Sequence, residues 1–386
     1  MPCPAPQAYT EQLPEGTSQQ DLLRMAAAAD AFELQRAMAA CLTQLAGLPV
    51  EQLEWATITG AFTLPDGVAG HDSSNQLRQQ AQARLQQELG DLELTLQDEA
   101  KRQQLERLPH AALLALLQDE RTRVASEGTA VAAVALWAAA QEAAGSSVAL
   151  EQRQQLAGSI RMVQLPSLYL STVLPGVQWL EGVLTAQHIH AFTAAQSVPD
   201  DDRGLFVSSV LINIAADGSD RWHTWVEAGP RPMSVRDGVQ FDLHVPAAEL
   251  SSCFADNRPG RWASPTIMFG GYRLGLAAKA EDRKIDVALS LAGLGTGRQP
   301  TSGPGALLYE AAWIEVAAGC MVDGAIKLEK KEIGLWTDSL SWLDFFGKEL
   351  DMSAGWDPQR LAPFLHDGKL TLRLNVTSLR SPRAAE

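Results

Sequence analysis

Apolar residues fall into two regimes along the chain. Up to about residue 185 they recur every three or four positions, and from Leu205 onward they alternate in short runs set between glycine, proline and aspartate clusters. A period near 3.6 puts one apolar stripe on a helix, and a period of two fills one face of a strand, so the pattern predicts a helical region followed by a β region. The clearest helical signal is Leu108–Trp137, LPHAALLALLQDERTRVASEGTAVAAVALW. Pro109 stands where a first-turn proline is tolerated, Leu113, Leu116 and Leu117 make the stripe of a first helix, and the polar run Gln118–Arg123 ends it. Ser126 is placed to cap a second helix, Glu127 sets a carboxylate at its positive end, and Val131, Val134, Ala135 and Ala138 form its apolar face. Thr129 stands where a capping box would carry Glu or Gln, so the cap rests on Ser126 alone.

Order is expected from about Ser18. Residues 1–17, rich in proline and polar side chains, read as a disordered tail, and residues 381–386 as a tail. Within 18–47, Leu22, Leu23, Met25, Ala26 and Ala29, then Phe32, Leu34, Met38, Cys41, Leu42 and Leu45, form two helical stripes with a break at Asp30–Glu33. Residues 48–74 read as a linker helix and turn, with Pro49 at the start, Leu53 and Ile58 as buried candidates, and Pro65, Asp66 and Gly67 as the turn. A third block, 75–185, opens on Leu77, Ala81, Leu85 and Leu89 and continues through Leu156, Ile160 and Val163. At 186–204 the period lapses, which marks a linker and a domain boundary.

The remaining block, 205–380, alternates in LFVSSVLINI, VQFDLHV, PTIMFGGYRLGLAA, KIDVALSLAGL, LLYEAAWIEVAA and KLTLRLNVTSL. Antiparallel strands in a two-sheet sandwich are expected. Trp222, Trp225, Trp262, Trp313, Trp336 and Trp342 all lie in this block, where large rings fill the space between sheets.

The segment Leu108–Trp137, followed by RMVQLPSLYLSTVL at Arg161–Leu174, resembles the BACK domain, the helical module after the BTB fold in substrate adaptors of cullin-based ubiquitin ligases. Its opening pattern L-P-x-x-x-L-L-x-L-L, then V-x-S-E-x-T and a tryptophan-bearing helix, is matched in order across about residues 75–185, and the family's proline in the second segment starts a new helix. The 18–47 block is similar to the last two helices of a BTB domain, although some 18 preceding residues leave no room for the sheet and helices that open that fold. The order of elements in 205–380 is similar to the MATH-like sandwich that follows BACK in related proteins. The resemblance implies a fold class of α then β: a BTB end plus BACK-like helical array, then an antiparallel β-sandwich. It implies a non-enzymatic adaptor whose sandwich reads a substrate protein, with a cullin scaffold as second partner, in the cytoplasm and nucleus. A scaffold unrelated to ubiquitination and a carbohydrate-binding or carbohydrate-active sandwich are the alternatives.

Composition narrows the partners. The 386 residues suit two or three domains, and a hydrophobic fraction of 46% supports a packed core. A net charge of −15 opposes a phosphate backbone, and the densest basic run, Lys327–Lys331, is broken by Glu329. No nucleic-acid partner is expected. No apolar run approaches the roughly 18 residues of a membrane helix, and the first residues lack a basic and an apolar leader region, so neither a membrane partner nor secretion is expected. Cys3, Cys41, Cys253 and Cys320 are far apart and read as free thiols in a reducing compartment.

Candidate chemistry is sparse. His188 and His190 form a His-x-His pair, but no Cys, Asp or Glu follows within nine residues, so no metal is expected. The glycine-rich stretch Ala292–Gly305 fits no phosphate-loop spacing and reads as a hairpin loop and a plausible partner contact. Asp200–Arg203 lacks the spaced ligands of a calcium loop. Cys253 has no adjacent base, and paired carboxylates such as Asp338 and Asp344 are what a glycosidase-like reading would use. No catalytic, cofactor-binding or metal residue is assigned, and no cofactor is expected.

Overall fold

The computed structural model describes residues 16–166, 169–196, 198, 225, 228–234, 239–255, 260–281, 284–292, 313–322, 325–335, 339–342, 359, 362 and 365–380. The chain divides into two compact units, one of Met1–Asp91 with Glu99–Thr122 and one of Leu92–Asp98 with Arg123–Glu386. No described helix is long and apolar enough to cross a membrane.

The first unit is helical. Helices α1 (Gln19–Ala31) and α2 (Gln35–Ala46) pack on one another, and Ser18 caps α1 by accepting from the Asp21 amide at 3.1 Å. Leu22, Leu23, Ala26, Ala29, Met38, Cys41, Leu42 and Leu45 are buried, whereas Met25, Phe32 and Leu34 are exposed. Phe32 is the C-cap of α1 and Leu34 the N-cap of α2, with Glu33 between them at φ 57°, so both lie in the corner, outside either helix's period. After a 3-10 turn at Val50–Gln52 comes α3 (Trp55–Ala61), and Pro65, expected in a turn, instead opens the short helix α4 (Asp66–Ala69). The axis of the unit is α5 (Asp72–Leu89), whose Leu77, Ala81, Leu85 and Leu89 are fully buried.

Around α5 lie α2, α3, α7 (Glu99–Glu106) and α8 (His110–Gln118). Leu113, Leu116 and Leu117 of α8 are buried, each side chain gaining about 1.5–3 kcal/mol by leaving water. Asp119 ends α8 by binding Arg121, its Oδ1 accepting from the Arg121 amide and Nε, both at 2.9 Å.

The second unit combines helices and strands. Helix α6 (Leu92–Gln97) packs on α9 (Glu127–Ala143), and α10 (Leu150–Gly158) and α11 (Ala186–Ala195) follow. The two helices of the 108–137 signal therefore fall in different units. Val131, Val134, Leu156, Ile160 and Val163 are buried here. Between α10 and α11 no further α-helix follows the proline among the described residues; 3-10 turns at Met162–Gln164 and Leu174–Gly176 flank a π turn at Tyr169–Val173. The stretch expected as an aperiodic linker begins with α11, which Thr185 caps.

The strands form two antiparallel sheets. One runs β1 (Val239–Pro246), β10 (Lys369–Arg380), β6 (Trp313–Val322), β7 (Ala325–Leu335), with β9 (Leu365–His366) beside β10. The other runs β2 (Gly260–Ala263), β4 (Tyr272–Glu281), β5 (Lys284–Ala292), β8 (Ser339–Trp342), with β3 (Ile267–Phe269) beside β4. A further helix, α12 (Ala247–Ala255), follows β1 directly. Register is fixed at β1–β10 by Asp242 opposite Arg373, joined by two hydrogen bonds of 2.7 Å. The strand signal LFVSSVLINI at 205–214 lies outside the described residues.

Candidate functional site

The polar chemistry of the second unit gathers at the N-terminus of α9. Glu127 is the first residue of that helix, where the positive end of the backbone dipole favours a carboxylate. Its side chain is almost wholly buried against Arg231, itself equally buried, with Nε 3.1 Å from Oε2. Glu127 Oε1 also accepts from the Arg161 amide at 2.9 Å, and Arg231 Nη2 donates to the Ser159 carbonyl at 2.8 Å. Burial pushes the Glu127 carboxyl above its ordinary value, and the charge of Arg231 together with the Arg161 amide pulls it back.

Trp225 and residues 228–234, which carry Arg231, lie against α9–α11. Trp225 donates from its indole to the Ala157 carbonyl at 2.6 Å and stands edge-on to Phe192 and His188, with ring centroids 5.6 and 6.1 Å away. Arg161 donates to the Gly229 carbonyl, and Gln164 donates to the Ala228 carbonyl at 3.3 Å. Further on, the Val124 amide donates to the Pro232 carbonyl at 3.1 Å, and the Ser234 amide to the Val124 carbonyl at 2.9 Å, a short parallel bridge.

A second carboxylate holds the β3–β4 turn on the same helix end. Glu93 of α6 is fully buried; its Oε2 accepts from Thr129 Oγ1 at 2.9 Å and from the Gly270 amide at 3.3 Å, and its Oε1 from Gln97 at 3.1 Å. Ser126 stands at the N-cap of α9 in an extended conformation, but its hydroxyl makes no cap and donates instead to the Gly270 carbonyl at 2.7 Å. The expected Ser126 cap is thus corrected: the strand turn competes for the hydroxyl and wins it.

The turn approaches so closely that Gly128 and Gly271 leave no space for side chains. Tyr169 and Tyr272 stack edge to face at 5.2 Å beneath it, and burial raises both phenols above their ordinary value.

Of the residues singled out for chemistry, His188 is buried and completes a reciprocal cap, its Nδ1 accepting from the Thr185 amide at 2.9 Å. That replaces the expectation of a polar linker there. Cys253 is half-buried and Cys41 buried, where desolvation raises its thiol. Among the described residues, no three His, Cys, Asp or Glu side chains converge. Trp262 spends its indole N–H on Glu249 at 2.6 Å. Asp200–Arg203, residues 293–305, Asp338 and Asp344 lie outside the described residues.

Trp225, expected between the sheets, packs instead on α10 and α11, and Arg231, Glu93, Gly128 and Gly271 had no local signal. The nearest hints were the prolines flanking Arg231 and the glycine pair in FGGYR. What the arrangement can do is mechanical: it fixes a strand turn and an extended segment to one helix end through groups whose partners lie within the chain. A search of protein-family models finds no match, and a search of curated proteins also finds none.

Proposed function

We propose that this chain is a non-enzymatic adaptor or scaffold of the BTB-BACK kind, in which the helical half is an arm and the C-terminal half reads a protein ligand. In this reading the two sheets close into a MATH-like sandwich, and the adaptor recruits a substrate to a cullin-based ubiquitin ligase in the cytoplasm and nucleus. The observation that carries it is the end of α9, where Glu127 and Glu93 spend their carboxylates on Arg231 and on the Gly270 turn. Both link segments more than a hundred residues apart, at separations of 104 and 177. Groups held this way position one part of a chain against another, and positioning is what an adaptor requires. The ordered match of Leu108–Trp137 to the BACK pattern supports the same reading.

The test is a pull-down of the folded full chain with a purified cullin scaffold. Saturable capture is the expected result. Absence of capture from a sample with an intact cooperative melt would overturn the ligase assignment, leaving a scaffold outside ubiquitination.

A further inference from the structure

A cleft of about 460 Å³ opens in the first unit where α3, α5 and α8 meet, a volume suited to a small ligand. One wall is a stripe of α5: Asn75, Arg78, Gln79 and Gln82 stand at i, i+3, i+4 and i+7, so they share one helix face beside the buried stripe of Leu77, Ala81 and Leu85. Phe62, which ends α3, and Ala111, in the first turn of α8, line the rest. Arg78 is half-buried and held by its inner nitrogen, Nε donating to the Ala61 carbonyl at 3.3 Å. Among the described residues it makes no other hydrogen bond and no ion pair, which leaves both terminal nitrogens of the fork for a ligand. The side chains lining the cleft beside it are carboxamides and a ring rather than carboxylates, although the chain as a whole carries a net charge of −15. Gln82 gives its amide nitrogen to Asp119 at 3.3 Å and keeps its carbonyl oxygen as an acceptor, and Asp119 is itself neutralised by Arg121.

From this geometry we infer that the cleft binds a small carboxylate flanked by an amide and an apolar group, the chemistry shared by N-acyl amino acids and the C-terminal residue of a peptide. A guanidinium fork takes a planar carboxylate through two parallel hydrogen bonds. One cation balances a singly charged carboxylate and not the double charge of a phosphate, which sets the charge of the ligand. Carboxamides both donate and accept, so Gln79 and Gln82 suit the neighbouring amide, and the half-buried Phe62 ring suits the apolar group. The proposal goes beyond the adaptor reading and does not depend on cullin binding.

The experiment is an NMR chemical-shift titration of the isotope-labelled full chain with N-acetylphenylalanine. Its primary amide and inorganic phosphate are the controls, and acetyl-trialanyl-phenylalanine represents a peptide end. The acid is expected to give saturable shifts at the Asn75 and Gln79 side-chain amides and the Ala111 backbone amide. The uncharged amide should bind about tenfold more weakly or worse, and phosphate should not saturate. Saturation by either acid supports the site, and the tighter of the two names the source of the ligand. Arg78→Gln should weaken binding about tenfold or more, and Arg78→Lys, which keeps the charge but not the fork, should weaken it too. Equal affinity for acid and amide, saturation by phosphate at the same signals, or no saturable shift up to the millimolar range overturns the site. So does unchanged affinity in a folded Arg78→Gln. Should that variant fail to fold, Gln79→Ala decides, since Gln79 is exposed: about threefold weaker binding is expected, and unchanged affinity overturns the proposal.

Discussion

Gly128 and Gly271 meet backbone to backbone. A Cβ on Gly271, which sits at φ +85°, would lie 2.7 Å from Gly128 Cα and closer still to its carbonyl group; one on Gly128 would lie 2.6 Å from the Gly270 oxygen. Neither neighbour is a flexible side-chain end, so a methyl group cannot be accommodated by a rotamer change. Gly271→Ala is expected to cost on the order of 3 kcal/mol from left-handed strain and overpacking together. Gly368→Ala is the control, since Gly368 shares a positive φ of +71° but faces open space. Urea unfolding of both variants checks this, and equal losses would refute the close approach.

The Glu127–Arg231 pair predicts an asymmetry between single and double variants. Glu127→Gln leaves a buried guanidinium without its counter-charge and should cost roughly 3–5 kcal/mol, whereas Glu127→Gln with Arg231→Met should cost less than the two single losses added. The pH dependence has a definite sign. Burial holds the Glu127 carboxyl above its ordinary value of 4.5, so the folded state binds the proton more tightly than the unfolded state. Stability from this group is whole below that ordinary value and falls as pH rises through the folded value. Removing Arg231 raises the carboxyl further, so the deficit of Arg231→Met is expected to grow between pH 5 and pH 8. A deficit that is flat over that range would place the carboxylate in water.

Local pattern made the helices legible because their stripes are encoded within a turn or two: Leu77, Ala81, Leu85 and Leu89 are spaced as a buried face must be, and all are buried. Where the period breaks, the pattern misleads. Phe32 and Leu34, expected at the head of the second stripe, sit in the corner between α1 and α2 and are exposed. The site was legible only at Glu127, whose place at a helix start is local. Its partner Arg231 is 104 residues away, and Gly270 lies 177 residues from Glu93. Pairing over such distances leaves no periodic trace, and Ser126 shows the same limit, since its position is set locally and its hydrogen bond by a turn 144 residues on.

Leu113 and Leu117 test the core of the first unit. Both are buried on α8, which packs against α5. Leu117→Ala should cost about 2–5 kcal/mol through lost transfer energy and a cavity. Leu113→Asp should abolish the cooperative melt, because an unpaired carboxylate in an apolar site costs several kcal/mol against a total of about 5–15. Differential scanning calorimetry reads both, and a wild-type melt from Leu113→Asp would mean that the stripe faces solvent.

Asp119 gives the opposite pH signature from Glu127. The Arg121 side chain, bound to it at 2.7 and 2.9 Å, holds its carboxyl below the ordinary 3.8, with further help from the Arg121 amide and Gln82. A carboxyl lowered on folding contributes stability above its unfolded value and loses it as pH falls through the folded one. Arg121 is largely exposed, so solvent weakens the ion pair, and the hydrogen bond that turns the chain after α8 is the dominant contribution. Asp119→Asn is therefore expected to cost about 1 kcal/mol near pH 7. The difference from wild type should shrink below pH 3.8 as the native carboxyl takes up its proton. Urea titrations at neutral and acidic pH measure it, and a deficit unchanged at acid pH would mean that the turn draws its stability from packing rather than from the ionised carboxylate.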